Sequence, residues 1–156
     1  MTATATLEVG QTAPDFRLRG PGGQYVSLSE YRGKKHVVVV FFPLAFSPVC
    51  SHQLPEIQKE MPRLEALGAV VLGVSVDSHY ANEAFARSLG LSFPLLSDFD
   101  HAASLAWGML LPERGYSARG LFVVDKQGRL AHRDVSPTTD DLPSNAAVLA
   151  ALERLA

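Results

Sequence analysis

The chain has 156 residues, 47% of them apolar and 19% charged, and a formal net charge of −2. That length fits one domain over 1–156 with a core that needs no staples, and the near-neutral balance gives no electrostatic footing for nucleic acid or a membrane surface. Cys50 is the only cysteine, which excludes an intrachain disulfide framework and a cysteine-rich zinc site. The opening Met1-Thr2-Ala3-Thr4-Ala5-Thr6 lacks the basic and apolar regions of a secretory signal, and no apolar run approaches the ~20 residues of a spanning helix. A cytoplasmic protein is expected, in a reducing compartment that keeps Cys50 a free thiol.

Residues 1–9 read as a short flexible start. Gly10 to Phe16 is turn-rich and then extended, and Gly20-Pro21-Gly22-Gly23 is a loop by composition. Tyr25, Val26 and Leu28 suggest a short strand, followed by a turn or short helix over Ser29–Gly33. Residues 36–42, apolar from Val37 onward and rich in valine, predict a central strand buried on both faces under helices. A helix over 48–67 is expected to be interrupted at Pro55 and Pro62. Ala69–Val76 reads as the second buried strand, and 79–89 as a helix with Ala81, Phe85 and Leu89 inward and Gly90 as its stop. Leu95-Leu96 is a short strand candidate, and 101–107 a short helix ending near Gly108. Residues 121–125 and 129–134 form two strands about the turn Lys126-Gln127-Gly128. The chain ends in a helix at about 145–155, striped with Val148, Leu149, Leu152 and Leu155. This order of elements matches a thioredoxin-like three-layer α/β sandwich, a central mixed sheet flanked by helices.

Cys50 follows the strongest strand, in Pro43-Leu44-Ala45-Phe46-Ser47-Pro48-Val49-Cys50. Serine then proline is a helix-start pair: serine caps, and proline at the first helical position lacks only an N–H that has no partner there. Cys50 therefore falls in a first turn, partly exposed, where free N–H groups and the helix dipole favour a thiolate. This gain is bounded. An ordinary thiol of pKa about 8.5 is already a few per cent ionised at neutral pH, so full ionisation raises the reactive fraction only some tens of fold. A fast thiol enzyme must also stabilise its transition state with placed donors. Ser47 is the hydroxyl candidate. Arg119, just before the strand at 121–125, is the cation candidate, since its planar fork donates several hydrogen bonds and stays charged.

Pro43, three residues, Ser47, two residues and Cys50 resemble the peroxidatic motif of the peroxiredoxins. Gly10-Gln11-Thr12-Ala13-Pro14-Asp15-Phe16 is similar to that family's opening segment, and Arg119 to Gly128 to its arginine-bearing strand and hairpin. Phe41 to Ser47 looks most like the one-cysteine alkyl hydroperoxide reductase E subfamily. The resemblance implies a thiol-dependent peroxidase. Cys50 would be its peroxidatic cysteine, Arg119 would hold the thiolate and polarise the peroxide, and Ser47 would hydrogen-bond the peroxide oxygen. Pro43 would shield the pocket, and main-chain N–H groups near Val49 and Cys50 would complete the substrate site. It also implies a homodimer. Threonine is more usual at Ser47, and many relatives carry glutamate at Gln53.

With no second cysteine in the chain, an oxidised Cys50 must meet an external thiol: a low-molecular-weight thiol, a glutaredoxin-like protein or a thioredoxin-like protein. Hydrogen peroxide, organic hydroperoxides and peroxynitrite are all open as substrates. Pro55 cannot donate to the Ser51 carbonyl, which would ease unwinding of the turn that carries Cys50. His52, two residues from Cys50 on a helix, is expected to face solvent. The remaining histidines lack ligand spacing, so neither a metal nor a cofactor is expected. Asp77, Asp98 and Asp100 read as caps or turns, Trp107 as core or packing surface, and Phe46 as part of a pocket or an interface. A thiol–disulfide oxidoreductase is disfavoured because Cys50-Ser51-His52-Gln53 lacks the second cysteine of a CxxC pair. A redox sensor or binding module on the same fold, without efficient turnover, is the alternative.

Overall fold

A computed structural model describes residues 7–156. Its main sheet contains β1 (Arg17–Arg19), β2 (Tyr25–Ser27), β3 (His36–Phe41), β4 (Ala69–Ser75), β5 (Leu95–Ser97), β8 (Gly120–Val124) and β9 (Leu130–Val135). A separate small hairpin pairs β6 (Leu110–Leu111) with β7 (Tyr116–Ser117). The strand order is β2-β1-β5-β4-β3-β8-β9. β3, β4 and β5 run parallel, and β8 lies antiparallel to β3 on the other side. The helices are α1 (Cys50–Lys59), α2 (Met61–Ala66), α3 (His79–Leu89), α4 (Ala102–Ala106) and α5 (Asn145–Leu155).

The unbroken apolar run of β3 has a direct packing cause. Successive side chains point to opposite faces, and both faces are covered. Val38, Val40 and Phe42 meet Leu54 and Ile57 of α1, Leu64 of α2, Phe85 of α3 and Leu149 and Leu152 of α5. Val37, Val39 and Phe41 meet Phe16, Leu28, Ala103 of α4 and Trp107. Trp107 is core: its ring lies 5.5 Å from Phe41 and 5.1 Å from Phe122, and Nε1–H donates to the Pro14 carbonyl at 3.0 Å. Each such side chain contributes roughly 1.5–3 kcal/mol on burial. The result is the three-layer α/β arrangement expected from the sequence.

Several boundaries differ for physical reasons. Pro55 does not interrupt α1, which runs on to Lys59 because a proline removes only one carbonyl's partner while Leu54 and Ile57 remain buried on the inner face. The break comes at Glu60, and Pro62 sits in the first turn of α2, where its missing N–H is harmless. Of the expected flexible start, 1–6 lie outside the described residues, whereas Leu7 is buried against the Trp107 side of the core. Leu28 starts a 3-10 turn rather than extending β2. Gly90 ends α3 in the left-handed conformation at φ 65, as its place after the helix demanded.

Candidate active site

The sheet register builds the site. β8 runs antiparallel to β3 with Phe41 opposite Gly120. The start of β8 therefore lies beside the end of β3, and Arg119 reaches the segment that leads to Cys50. Nη1 of Arg119 donates to Cys50 Sγ at 3.2 Å and to Gln53 Oε1 at 2.6 Å. Nε donates to the carbonyl oxygen of Thr139 at 2.9 Å. Arg119 is 1% exposed. A buried guanidinium is costly unless its donors are used, and these three bonds meet that requirement while fixing the fork against the sulfur.

Cys50 opens α1 and is 0% exposed. The expectation of a partly exposed thiol is thus corrected. Burial follows from its place in the cluster of Val40, Phe42, Leu54 and Phe85. Pro43, two residues past the end of β3, is buried. Val49 precedes the helix with helical angles, and its carbonyl accepts from Gln53 N–H at 2.9 Å. Among the described residues, the N–H groups of Val49 and Cys50 have no acceptor, so the turn presents free donors beside the sulfur.

Ser47 starts the helical bonding through its carbonyl, which accepts Ser51 N–H at 3.0 Å and Ser51 Oγ–H at 2.9 Å. Its own hydroxyl does not cap. It points back and donates to the Leu44 carbonyl at 2.9 Å. The side-chain cap expected from serine before proline is therefore absent, because the hydroxyl closes the loop's own turn instead. The Ser47 oxygen donates in this bond and keeps its lone pairs as acceptors.

The sequence marks Gln53 only as standing where many relatives carry glutamate, with no role attached. It is buried and is the closest partner of Arg119. A guanidinium only donates, so the contact fixes which end of the amide is oxygen. That leaves Nε2 buried with no partner among the described residues. Thr139 contributes a backbone carbonyl, for which no side-chain signature exists. His52 is exposed, as its helical position implied. Asp98 caps α4, accepting Ala103 N–H at 2.9 Å and Ser104 N–H at 2.7 Å, and Asp100 accepts Ala102 N–H at 3.1 Å. Among the described residues no group of three or more His, Cys, Asp or Glu could hold a metal.

Residues 9–133 match the model of the AhpC/TSA family. The chain belongs to this peroxiredoxin family. It is 43% identical over 124 residues to alkyl hydroperoxide reductase E of Mycobacterium tuberculosis, covering 78% of this chain and 81% of the relative. Among solved structures, the reduced 2-Cys peroxiredoxin of Plasmodium vivax superposes with a TM-score of 0.86 at 26% identity, over 94% of this chain and 81% of that one. Peroxidoxin BcpB of M. tuberculosis gives a TM-score of 0.86 at 25% identity, over 96% of this chain and 99% of its own. The peroxiredoxin is a thiol-dependent peroxidase on the thioredoxin fold, with the likeness to alkyl hydroperoxide reductase E that Phe41 to Ser47 suggested. The Plasmodium relative is named for two cysteines; this peroxiredoxin has one.

Proposed function

We propose that this protein is a one-cysteine peroxidase whose reacting atom is Cys50 Sγ. The thiolate attacks one peroxide oxygen, an S–O bond forms as the O–O bond breaks, and the leaving oxygen takes a proton to depart as water or an alcohol. Arg119 steadies the negative charge as it moves from sulfur to the leaving oxygen. The N–H groups of Val49 and Cys50 and the Ser47 oxygen orient the substrate, while Pro43 keeps bulk water from the sulfur. An external thiol then condenses with the sulfenic acid, releasing water, and a second thiol resolves the mixed disulfide. Hydrogen peroxide, small organic hydroperoxides and peroxynitrite are the substrate class.

The observation that carries this reading is the 3.2 Å contact between Arg119 Nη1 and the sulfur of the chain's only cysteine. A mechanism that needs Cys50 as a free thiol fits the reducing cytoplasm, and one sheet with a core on each face fits a single domain. Leu44, Phe46, Tyr80 and Phe99 are exposed apolar residues just beyond the ends of the parallel strands, which supports a homodimer formed at that rim.

The test is the second-order rate of Cys50 oxidation by hydrogen peroxide in rapid mixing, with intact mass on the product. A rate far above that of a free thiol, one oxygen gained, and loss of the reaction in Cys50→Ser are expected. A free-thiol rate with hydrogen peroxide and with an organic hydroperoxide would overturn the peroxidase and favour a sensor.

A further inference from the structure

The parallel pairing of β3 with β4 sets Phe41 beside Val74. Three residues further along each chain come Leu44 and Asp77, so the exit of β4 runs beside the loop that leads to Cys50. There the Asp77 carboxylate accepts the Ala45 N–H through Oδ2 at 2.7 Å. This bond joins the loop to a polar chain that is half-buried at Asp77 and buried at Ser75 and Asn82. Ser75 Oγ lies 2.7 Å from the same Asp77 oxygen and 3.1 Å from Asn82 Oδ1. Its one proton can serve only one of them at a time. Asp77 N–H donates back to Ser75 Oγ at 3.3 Å. Asn82 Nδ2 donates to the Leu96 carbonyl at 3.2 Å, and Ser97 Oγ donates to the Asp77 carbonyl at 2.6 Å. Asp77 is thereby held from β4 through Ser75 and from β5 through Ser97, with Asn82 of α3 beside the Ser75 hydroxyl.

The residue after Ala45 shows what this hold does. Phe46 adopts φ 66, the left-handed region that a side chain with a Cβ occupies only when its surroundings enforce it. It has two anchors. Asp77 grips the N–H of the preceding residue, and the Phe46 ring, itself 57% exposed, lies 4.9 Å from the buried ring of Phe85. Ser47, whose carbonyl begins α1, comes next. Capping of α3 does not account for Asp77, because Ser78 does that work by accepting Ala81 N–H at 3.1 Å.

We propose that Asp77 is a positioning residue for peroxide reduction, its carboxylate fixing the loop 43–49 in the shape that delivers Cys50 to Arg119. It acts through the Ala45 N–H rather than on the sulfur. Releasing that bond lets Phe46 relax and loosens the first turn of α1. Oxidation, which needs the assembled site, slows. Reduction of the oxidised and otherwise buried Cys50, which needs an outside thiol to reach it, quickens.

This inference rests on the Cys50 peroxidase reading, and the test separates the two. Wild type, Asp77→Ala, Asp77→Asn and Ser75→Ala are oxidised by hydrogen peroxide in single turnover. The sulfenic acid of each is then reduced by 2-mercaptoethanol, and melting temperatures are recorded alongside. Asp77→Ala is expected to oxidise about tenfold more slowly, the scale of a lost hydrogen bond to a charged acceptor, and to be reduced faster. Asp77→Asn keeps an oxygen for the Ala45 N–H and restores most of both rates. Ser75→Ala shifts both rates the same way by less, and serves if Asp77→Ala does not fold. A fast wild type with an equally fast Asp77→Ala would overturn the role of Asp77 alone. So would a parallel slowing of both half-reactions that asparagine fails to rescue. A wild type no faster than a free thiol would overturn the peroxidase reading and this inference with it.

Discussion

The two halves of the site are supported in opposite ways. Arg119 leads into β8, a central strand paired on both sides, and its guanidinium is tied by three hydrogen bonds. Cys50 stands at the start of a helix with no side-chain cap, behind a residue strained at φ 66 and before a proline that leaves the Ser51 carbonyl without its helical donor. The cation is tied to a central strand, while the sulfur sits where one helical hydrogen bond is missing and one nearby residue is strained. A thiol that must meet a small oxidant while buried and a larger reductant when oxidised gains from that division.

Removing the fixed half should have the largest effect. Arg119→Ala is expected to lower the rate of peroxide oxidation about 10²–10³-fold, the range for loss of a preorganised donor. Rapid mixing reads it, and a change below threefold would place the catalytic charge elsewhere. Gln53→Met comes next. It keeps volume but removes the acceptor 2.6 Å from Nη1, and about tenfold slower oxidation is expected. The orphaned Nε2 donor goes with it, which offsets part of any loss in stability. On the sulfur's side, Pro55→Ala restores a donor for the Ser51 carbonyl and firms α1. The sulfenic acid should then be reduced by an external thiol roughly threefold more slowly, about 0.6 kcal/mol, with oxidation unchanged. An unaltered reduction rate would remove Pro55 from the argument.

The smallest effect tests whether the contrast is local to the site. Burial pushes the imidazoles of His36 and His132 below the ordinary 6.5, with Lys126 adding to the effect at His36 and Arg154 at His132, against the opposing pull of Asp125 and Asp134. The unfolded chain then binds more protons than the folded one below 6.5. The stability these groups allow is complete above that pH and is lost as pH falls toward their lowered values. Melting temperature should drop between about pH 7 and about pH 5, and His36→Leu should flatten the slope. An unchanged slope would show that His36 is not the group responsible.

The fold was legible wherever burial imposes a pattern. The run 36–42, the stripe of α5 and the Gly90 stop of α3 each follow from a period or a cap. The short β1, β6 and β7 were missed, since two or three residues are too few to show alternation. In the site, the sequence marks Cys50 and Arg119, which the fold brings to 3.2 Å, whereas the part that Gln53 and Thr139 play in holding Arg119 is not readable from it. Thr139 acts through its backbone, and Gln53 and Asp77 act on residues 66 and 32 positions away. One signal was available for Asp77. With the second strand parallel to the first, an aspartate shortly after its end must lie near the loop that follows the first. Ser47 misled in the other direction, because a serine before proline can serve its own turn as readily as the helix.

The grip of the Thr139 carbonyl on Arg119 has a consequence for how the protein comes into being. Cys50 leaves the ribosome 69 residues before its arginine, and the connector that steadies that arginine follows later still. Until the final quarter of the chain is made, the sulfur has no guanidinium beside it. The pairing of thiol and cation is therefore a property of the finished fold and is absent from any chain stopped short of Arg119.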